Sequence, residues 1–306
     1  MGRTRCAVRL VGLCAAGLLL SGQGFAAGAV VPRADSVDLY LTRGSVALVP
    51  GAAIDRAMTV VNNGRDMAAG IDLLYTTPIF VAIDSGRPLP DGCGMYYPGK
   101  DVAVPQIVKC TLGPLGSGQS HELSFPLMIA AGAPPAATYG TAIARPARPD
   151  QDPEANLLDN TATPGGTIAA ASGAVMSADG PILALQSLTT IVSGASPVGD
   201  YRVRNLGNAD AEKAALVVVN PLYVNSSAAG DLPPACSMLL SDPDPAVPEI
   251  IRCDLGNLKS GQTKELRIPV RAVAGAPAGR ITGAAVANSG PVSSVGTVDA
   301  LVGLGG

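Results

Sequence analysis

The sequence predicts an all-β protein in which one sandwich domain occurs twice in tandem, and three observations predict it. Residues 109–136 (KCTLGPLGSGQSHELSFPLMIAAGAPPA) and 252–279 (RCDLGNLKSGQTKELRIPVRAVAGAPAG) match at half their positions without a gap. The offset, 253 − 110 = 143 residues, also places Asn62 on Asn205, Gly64 on Gly207, Pro78 on Pro221 and Cys93 on Cys236. A register kept over that distance marks a duplicated domain rather than a shared short motif. Glycine (37) and proline (26) together supply 63 of 306 residues, so turn signals repeatedly interrupt short apolar runs. Finally, four cysteines fall at equivalent places, Cys93 with Cys110 and Cys236 with Cys253, each pair 17 residues apart.

In chain order, Arg3, Arg5 and Arg9 precede an uncharged run from Leu10 to Leu20, followed by Gly24-Phe25-Ala26. That is the pattern of a secretory signal, assigned to residues 1–26. The apolar run is about 11 residues, short of the ~20 that a membrane-spanning helix needs. Without the signal the chain carries 21 − 3 = 18 basic and 24 acidic residues, a net of −6, which gives no basic footprint for nucleic acid. The first repeat is assigned to residues 34–172 and the second to 177–306. Candidate strands in the first repeat are residues 36–41, 54–62, 71–81, 107–112, 121–130 and 137–145. Alternation is clearest in HELSFPLMI, where Leu123, Phe125, Leu127 and Ile129 share a face, and KELRIPVR repeats it with Leu266, Ile268 and Val270. Pro126 and Pro269 sit inside these runs; because proline cannot donate to a ladder, the strand is expected at a sheet edge or with a bulge. Six or seven short strands per repeat, with turns at short intervals, predict two tandem immunoglobulin-like β-sandwiches.

Ala34-Asp35-Ser36-Val37-Asp38-Leu39, Pro50-Gly51, Val60-Val61-Asn62-Asn63-Gly64, Leu89-Pro90, Cys93, the segment Lys109 to Leu115, Gly118, Pro149-Asp150 and Asn160-Thr161-Ala162 together resemble the bacterial conserved-repeat family known as domain of unknown function 11. The resemblance covers residues 34–171 in order and the second repeat more loosely, since that repeat opens at Ser187-Leu188-Thr189 without the acidic start and lacks the closing segment. It implies extracytoplasmic, immunoglobulin-like repeats, in tandem on surface proteins. The family has no agreed activity.

Four cysteines outside the signal permit three pairings, and duplication favours Cys93–Cys110 with Cys236–Cys253, because a domain must fold before it is copied. A metal site is disfavoured by the absence of C-x-x-C spacing and by a single histidine, His121. Its copy, Lys264, argues for a solvent-facing strand position rather than a catalytic base, and no G-x-S-x-G elbow or phosphate-cradling loop occurs. No enzymatic activity and no cofactor are expected. Asn62-Asn63-Gly64 and Asn205-Leu206-Gly207 read as tight turns with left-handed backbone. Asp150, Asp152, Glu154 and Asp159, and likewise Asp242 and Asp244, read as solvated loops rather than calcium ligands. A Lys-to-Asn amide crosslink would have only Lys109 or Lys213 as donor. Tyr96 and Tyr97 are the candidate ligand-binding residues, as an aromatic platform for sugar; their copies Leu239 and Leu240 favour packing instead. Two functions remain in view. One is a secreted or cell-surface structural or adhesive module, periplasmic in a Gram-negative cell, with cell-wall or surface components as partners. The other is an extracellular carbohydrate- or ligand-binding protein using loops at one end of a sandwich. In both, the mature chain has no membrane span.

Overall fold

The computed structural model describes residues 36–44, 46–99, 101–152, 154, 156–169, 180–187, 190–192, 197–290 and 292–303, so the signal assignment lies outside the described residues. Every regular element described is a strand. The first half contains β1 (Leu39–Arg43), β2 (Ala53–Asn62), β3 (Ile71–Thr76), β4 (Val81–Ile83), β5 (Cys93–Tyr97), β6 (Ile107–Leu112), β7 (Ser120–Ile129), β8 (Ala137–Tyr139), β9 (Thr141–Pro146), β10 (Thr161–Ala162) and β11 (Gly165–Thr167). The second contains β12 (Leu183–Ser187), β13 (Thr190–Val192), β14 (Val198–Asn205), β15 (Ala211–Val219), β16 (Val224–Asn225), β17 (Cys236–Leu240), β18 (Ile250–Leu258), β19 (Thr263–Pro269), β20 (Arg271–Ala272), β21 (Gly279–Ser289) and β22 (Val292–Val302).

Each half pairs a smaller sheet with a larger one. In the first half the orders are β1-β2-β7-β4 and β10-β9-β3-β6-β5, with β8 and β11 as a separate pair. In the second they are β12-β14-β19 and β13-β22-β21-β15-β18-β17, with β16 and β20 separate. The copies correspond down to register: Val81 pairs with Ile129, and Val224 pairs with Ala272. They diverge at the end. Ile143 opposes Thr161 across a long connection, whereas its copy Val286 opposes Val295 across a tight turn, so the first half has (161 − 143) − (295 − 286) = 9 more residues there. The second half lacks the closing segment and instead finishes with the two 11-residue strands β21 and β22.

Several expected strands are recut by local chemistry. The run 71–81 breaks after Thr76 at a turn closed by Val81 N–H on the Pro78 carbonyl, within which Phe80 adopts a left-handed backbone (φ 66°), and its copy Tyr223 does the same (φ 61°). Such a conformation costs a bulky residue on the order of 1–3 kcal/mol. Both amides are anchored at equivalent places, Phe80 N–H on the Val102 carbonyl at 3.0 Å and Tyr223 N–H on the Pro245 carbonyl at 2.9 Å. The run 137–145 splits at Gly140, where a side chain would collide with the Thr76 carbonyl. Pro126 corrects the edge expectation, because β7 lies between β2 and β4. Ile129 N–H donates toward β2, so by alternation the position of Pro126 faces the other side, beyond the end of three-residue β4. Its missing donor therefore meets no strand. Pro269 does lie on an edge strand, β19.

The core of the first half lies between its two sheets, where the Tyr75 ring of β3 meets the Phe125 ring of β7 at a centroid distance of 4.7 Å. In the second half Leu183, Tyr201, Val203 and Ile268 of the small sheet pack with Leu216, Val218, Ile251, Cys253, Ala285 and Ala287 of the large one. The alternate residues of that large sheet, Val217, Val219, Ile250, Ala284 and Val286, are also buried, in a cluster that runs on into the first half. The six-stranded sheet is thus covered on both faces: one closes its own sandwich, and the other is shared.

Candidate functional site

The residues repeated in both halves are those that hold shape. Cys93 and Cys110 are directly opposed across β5 and β6, as Cys236 and Cys253 are across β17 and β18, and each pair forms a disulfide. Each bridge joins neighbours within one sheet and fixes its outer hairpin. Asn62 and Asn205 are fully buried. The Asn62 Nδ2 donates to the carbonyls of Asp66 (2.8 Å) and Leu115 (2.9 Å), and its Oδ1 accepts from Gly64 N–H (3.0 Å). Asn205 repeats this with Ala209 (2.8 Å), Leu258 (3.0 Å) and Gly207 (3.0 Å). These asparagines do not have left-handed backbone, contrary to the turn reading; they tie three chain segments together at the end of the sandwich. Gly64 and Gly207 are required there by close approach, since a Cβ would strike the carbonyl oxygens of Ser36 and Gly180.

Tyr96 is 41% exposed, so the packing reading fails for it. Its hydroxyl donates to the Asp242 carboxylate of the second half, and that bond, with some burial, pushes its pKa up to about 12. Tyr97 is partly buried against the shared core, and burial raises its pKa. The two rings therefore do not form one platform, and their hairpin adjoins the junction between the halves.

The same junction gathers Asp242 and Asp244, two of the charged residues that the sequence left as loops. Arg145 donates to both carboxylate oxygens of Asp244, the bond to Oδ1 measuring 2.7 Å. Burial alone would lower the Arg145 pKa, but Asp244 more than offsets it; burial alone would raise that of Asp244, which Arg145 holds below its ordinary value. Lys109 lies 3.3 Å from Asp72 and also draws the Asp244 pKa down, while Arg252 reaches Asp101 at 3.4 Å. Lys109 corresponds to Arg252 and Asp101 to Asp244, so the equivalent cation of each half faces the equivalent acid of the other. Such reciprocity is the mark of a two-fold interface. Asp242 and Asp244 are therefore junction residues, not solvated loops. The apolar part of the junction had a sequence signal in Ala214-Ala215-Leu216-Val217-Val218-Val219, a continuous run typical of a strand buried on both faces.

The remaining candidates are dispersed. Among the described residues no group of three or more His, Cys, Asp or Glu is placed to hold a metal ion. Asp152 accepts from Ala69 N–H (3.1 Å), and Asp159 from Asn156 Nδ2 (2.9 Å). Glu154 accepts from Leu39 N–H (3.0 Å) through one oxygen, while the other is buried without a partner. Burial raises the Glu154 pKa to about 7, so it ties its loop to β1 rather than lying free in solvent. His121 lies opposite Val60, and its Nε2 is buried with no partner among the described residues. Lys213 sits at a bulge with φ 48°.

No family model matches the sequence, and comparison with curated proteins finds no match. Among solved structures, the transglutaminase of red sea bream is similar over 86% of this chain at 11% identity and a TM-score of 0.26, and this chain spans 31% of its length. AvmM, described as catalysing macrocyclization in alchivemycin A biosynthesis, is similar over 46% of this chain and 93% of its own, at 12% identity and a TM-score of 0.27. Both similarities are too shallow to carry an activity across.

Proposed function

We propose that this chain is a secreted or cell-surface structural module of the bacterial conserved-repeat type, without catalytic activity, whose two halves act as one stiff body. The observation that carries the reading is the double-sided burial of the six-stranded sheet, which joins the halves through a core instead of a free linker. Shape-holding devices recur in both halves, the bridged hairpins and the buried asparagines among them, whereas the candidate ligand residues Tyr96 and Tyr97 have no aromatic copies. Disulfides favour an oxidising compartment, and among the described residues no helix is long and apolar enough to cross a membrane. The test is fractionation of the source cells combined with thiol labelling of the recovered protein. The reading expects an exported or surface-associated chain with all four bridge cysteines blocked; a cytoplasmic chain with labelled thiols overturns it.

A further inference from the structure

Between the halves, at the end marked by β8, β11, β21 and β22, lies an open cleft of about 500 Å³ lined by both repeats. Its charge is unbalanced. Arg43 lines the wall from the first half and Arg280 from the second, and the only lining carboxylate, Asp299, lies 2.5 Å from Arg280 Nη2 and also accepts from Thr282 at 2.8 Å. Among the described residues Arg43 makes no ion pair. Behind the cleft floor is a third guanidinium, Arg56, with 0% exposure. It donates to the carbonyls of Gly44 and Gly165, both at 3.1 Å, and its Nε has no partner. Among the described residues no carboxylate answers it, and Arg43 adds a second positive charge nearby. Gly165 itself lines the cleft, so the buried charge lies one peptide layer behind the surface that a ligand would touch. A buried ion without a counter-charge is costly, and a cleft with low-dielectric walls concentrates its field.

The lining chemistry narrows the class of anion. Apart from the charged groups, Thr163, Thr167 and Thr297 present hydroxyls, and Tyr139 presents an aromatic ring. Hydroxyl donors and acceptors beside a ring and a guanidinium suit a molecule that carries many hydroxyls, an apolar sugar face and a carboxylate. We propose that this inter-repeat cleft binds an acidic saccharide, its carboxylate held between Arg43 and Arg280. The site exists only when the halves are joined, because each contributes one of the two exposed arginines. It goes beyond the structural role and does not depend on it, since a module that binds nothing here would still be a spacer.

The probe is trigalacturonate, titrated calorimetrically into the full oxidised chain at low salt, with maltotriose and tetraglutamate as controls and amide chemical shifts to locate binding. The expected result is saturable binding of trigalacturonate alone, shifting amides in 163–167 and 297–299 and weakening with added salt. Arg43→Gln should weaken it about tenfold, the loss of one charge-assisted bond. Thr167→Glu, at an exposed lining position, should abolish it while leaving the melting temperature unchanged. Equal binding of maltotriose, equal or tighter binding of tetraglutamate, an absence of binding, shifts confined to other surfaces, or indifference to both substitutions each overturn the proposal.

Discussion

Asn62 and Asn205 carry a large load for single side chains, because each satisfies buried backbone groups from three segments at once. Truncating either to alanine strands those donors and acceptors, and an unsatisfied buried group costs about 1–3 kcal/mol. We expect Asn62→Ala and Asn205→Ala each to lower the unfolding free energy by about 2–4 kcal/mol in urea titrations. Glu154 gives a pH-dependent counterpart. Its folded pKa of about 7 lies above its ordinary value of 4.5, so the folded state holds a proton that the unfolded state has released. The associated stability is present below about pH 4.5 and is lost as pH rises through 7. The neighbouring Asp38 carboxylate acts in the same direction on Glu154 and on Asp159, whose pKa is itself raised by burial. Glu154→Gln should remove this slope and be more stable than the parent at pH 8 by ~1 kcal/mol, allowing for the partial exposure of the site. A melting temperature with the same pH profile in both proteins would contradict it.

At the scale of elements, the bridged hairpins make the clearest prediction. Each disulfide closes a 17-residue loop, which chain entropy values at about 3 kcal/mol. The double substitutions Cys93→Ser with Cys110→Ser, and Cys236→Ser with Cys253→Ser, should each cost roughly that amount in chemical denaturation. The pairing could be read from sequence because duplication supplied the missing constraint. The limits of β6 and the alternation of β7 were equally plain, since Leu123, Phe125, Leu127 and Ile129 do share a buried face. What defeated sequence reading was partly punctuation that was present and underweighted. Pro78 breaks the 71–81 run, and its carbonyl accepts from Val81 N–H in a turn; only the left-handed backbone of Phe80, held by the Val102 carbonyl, has no signature of its own. Short β5, β10 and β11 exist through their neighbours and carry no periodicity of their own. Asn62 looked like a turn former because Asn and Gly after an apolar strand usually are, and only the carbonyls of Asp66 and Leu115 reveal its other use.

For the whole molecule, a core that crosses between the halves predicts cooperative melting. Calorimetry of the oxidised chain should show one transition, and Val217→Asp, which places a charge in the shared cluster, should separate it into two. Two transitions in the unmodified protein would show that the halves unfold independently. Acid should act on the junction too: the depressed pKa of Asp244 contributes stability above about pH 3.8 that is lost as pH falls through its folded value. Asp244→Asn should flatten that acid limb. The junction was half legible. The run of apolar residues in β15 advertised two covered faces, but Arg145 on β9 and Asp101 in the loop before β6 look like ordinary surface residues until their partners are known.

One consequence follows from the reciprocal placement of Lys109 near Asp244 and of Arg252 beside Asp101. Were the halves separate molecules, the same adhesive sheet would be free on every copy and would meet its mate only by diffusion. A peptide tether raises the effective concentration of one for the other to roughly the millimolar range. The intramolecular encounter then outcompetes any neighbour, and the molecule quenches its own stickiness instead of growing into filaments as its concentration rises.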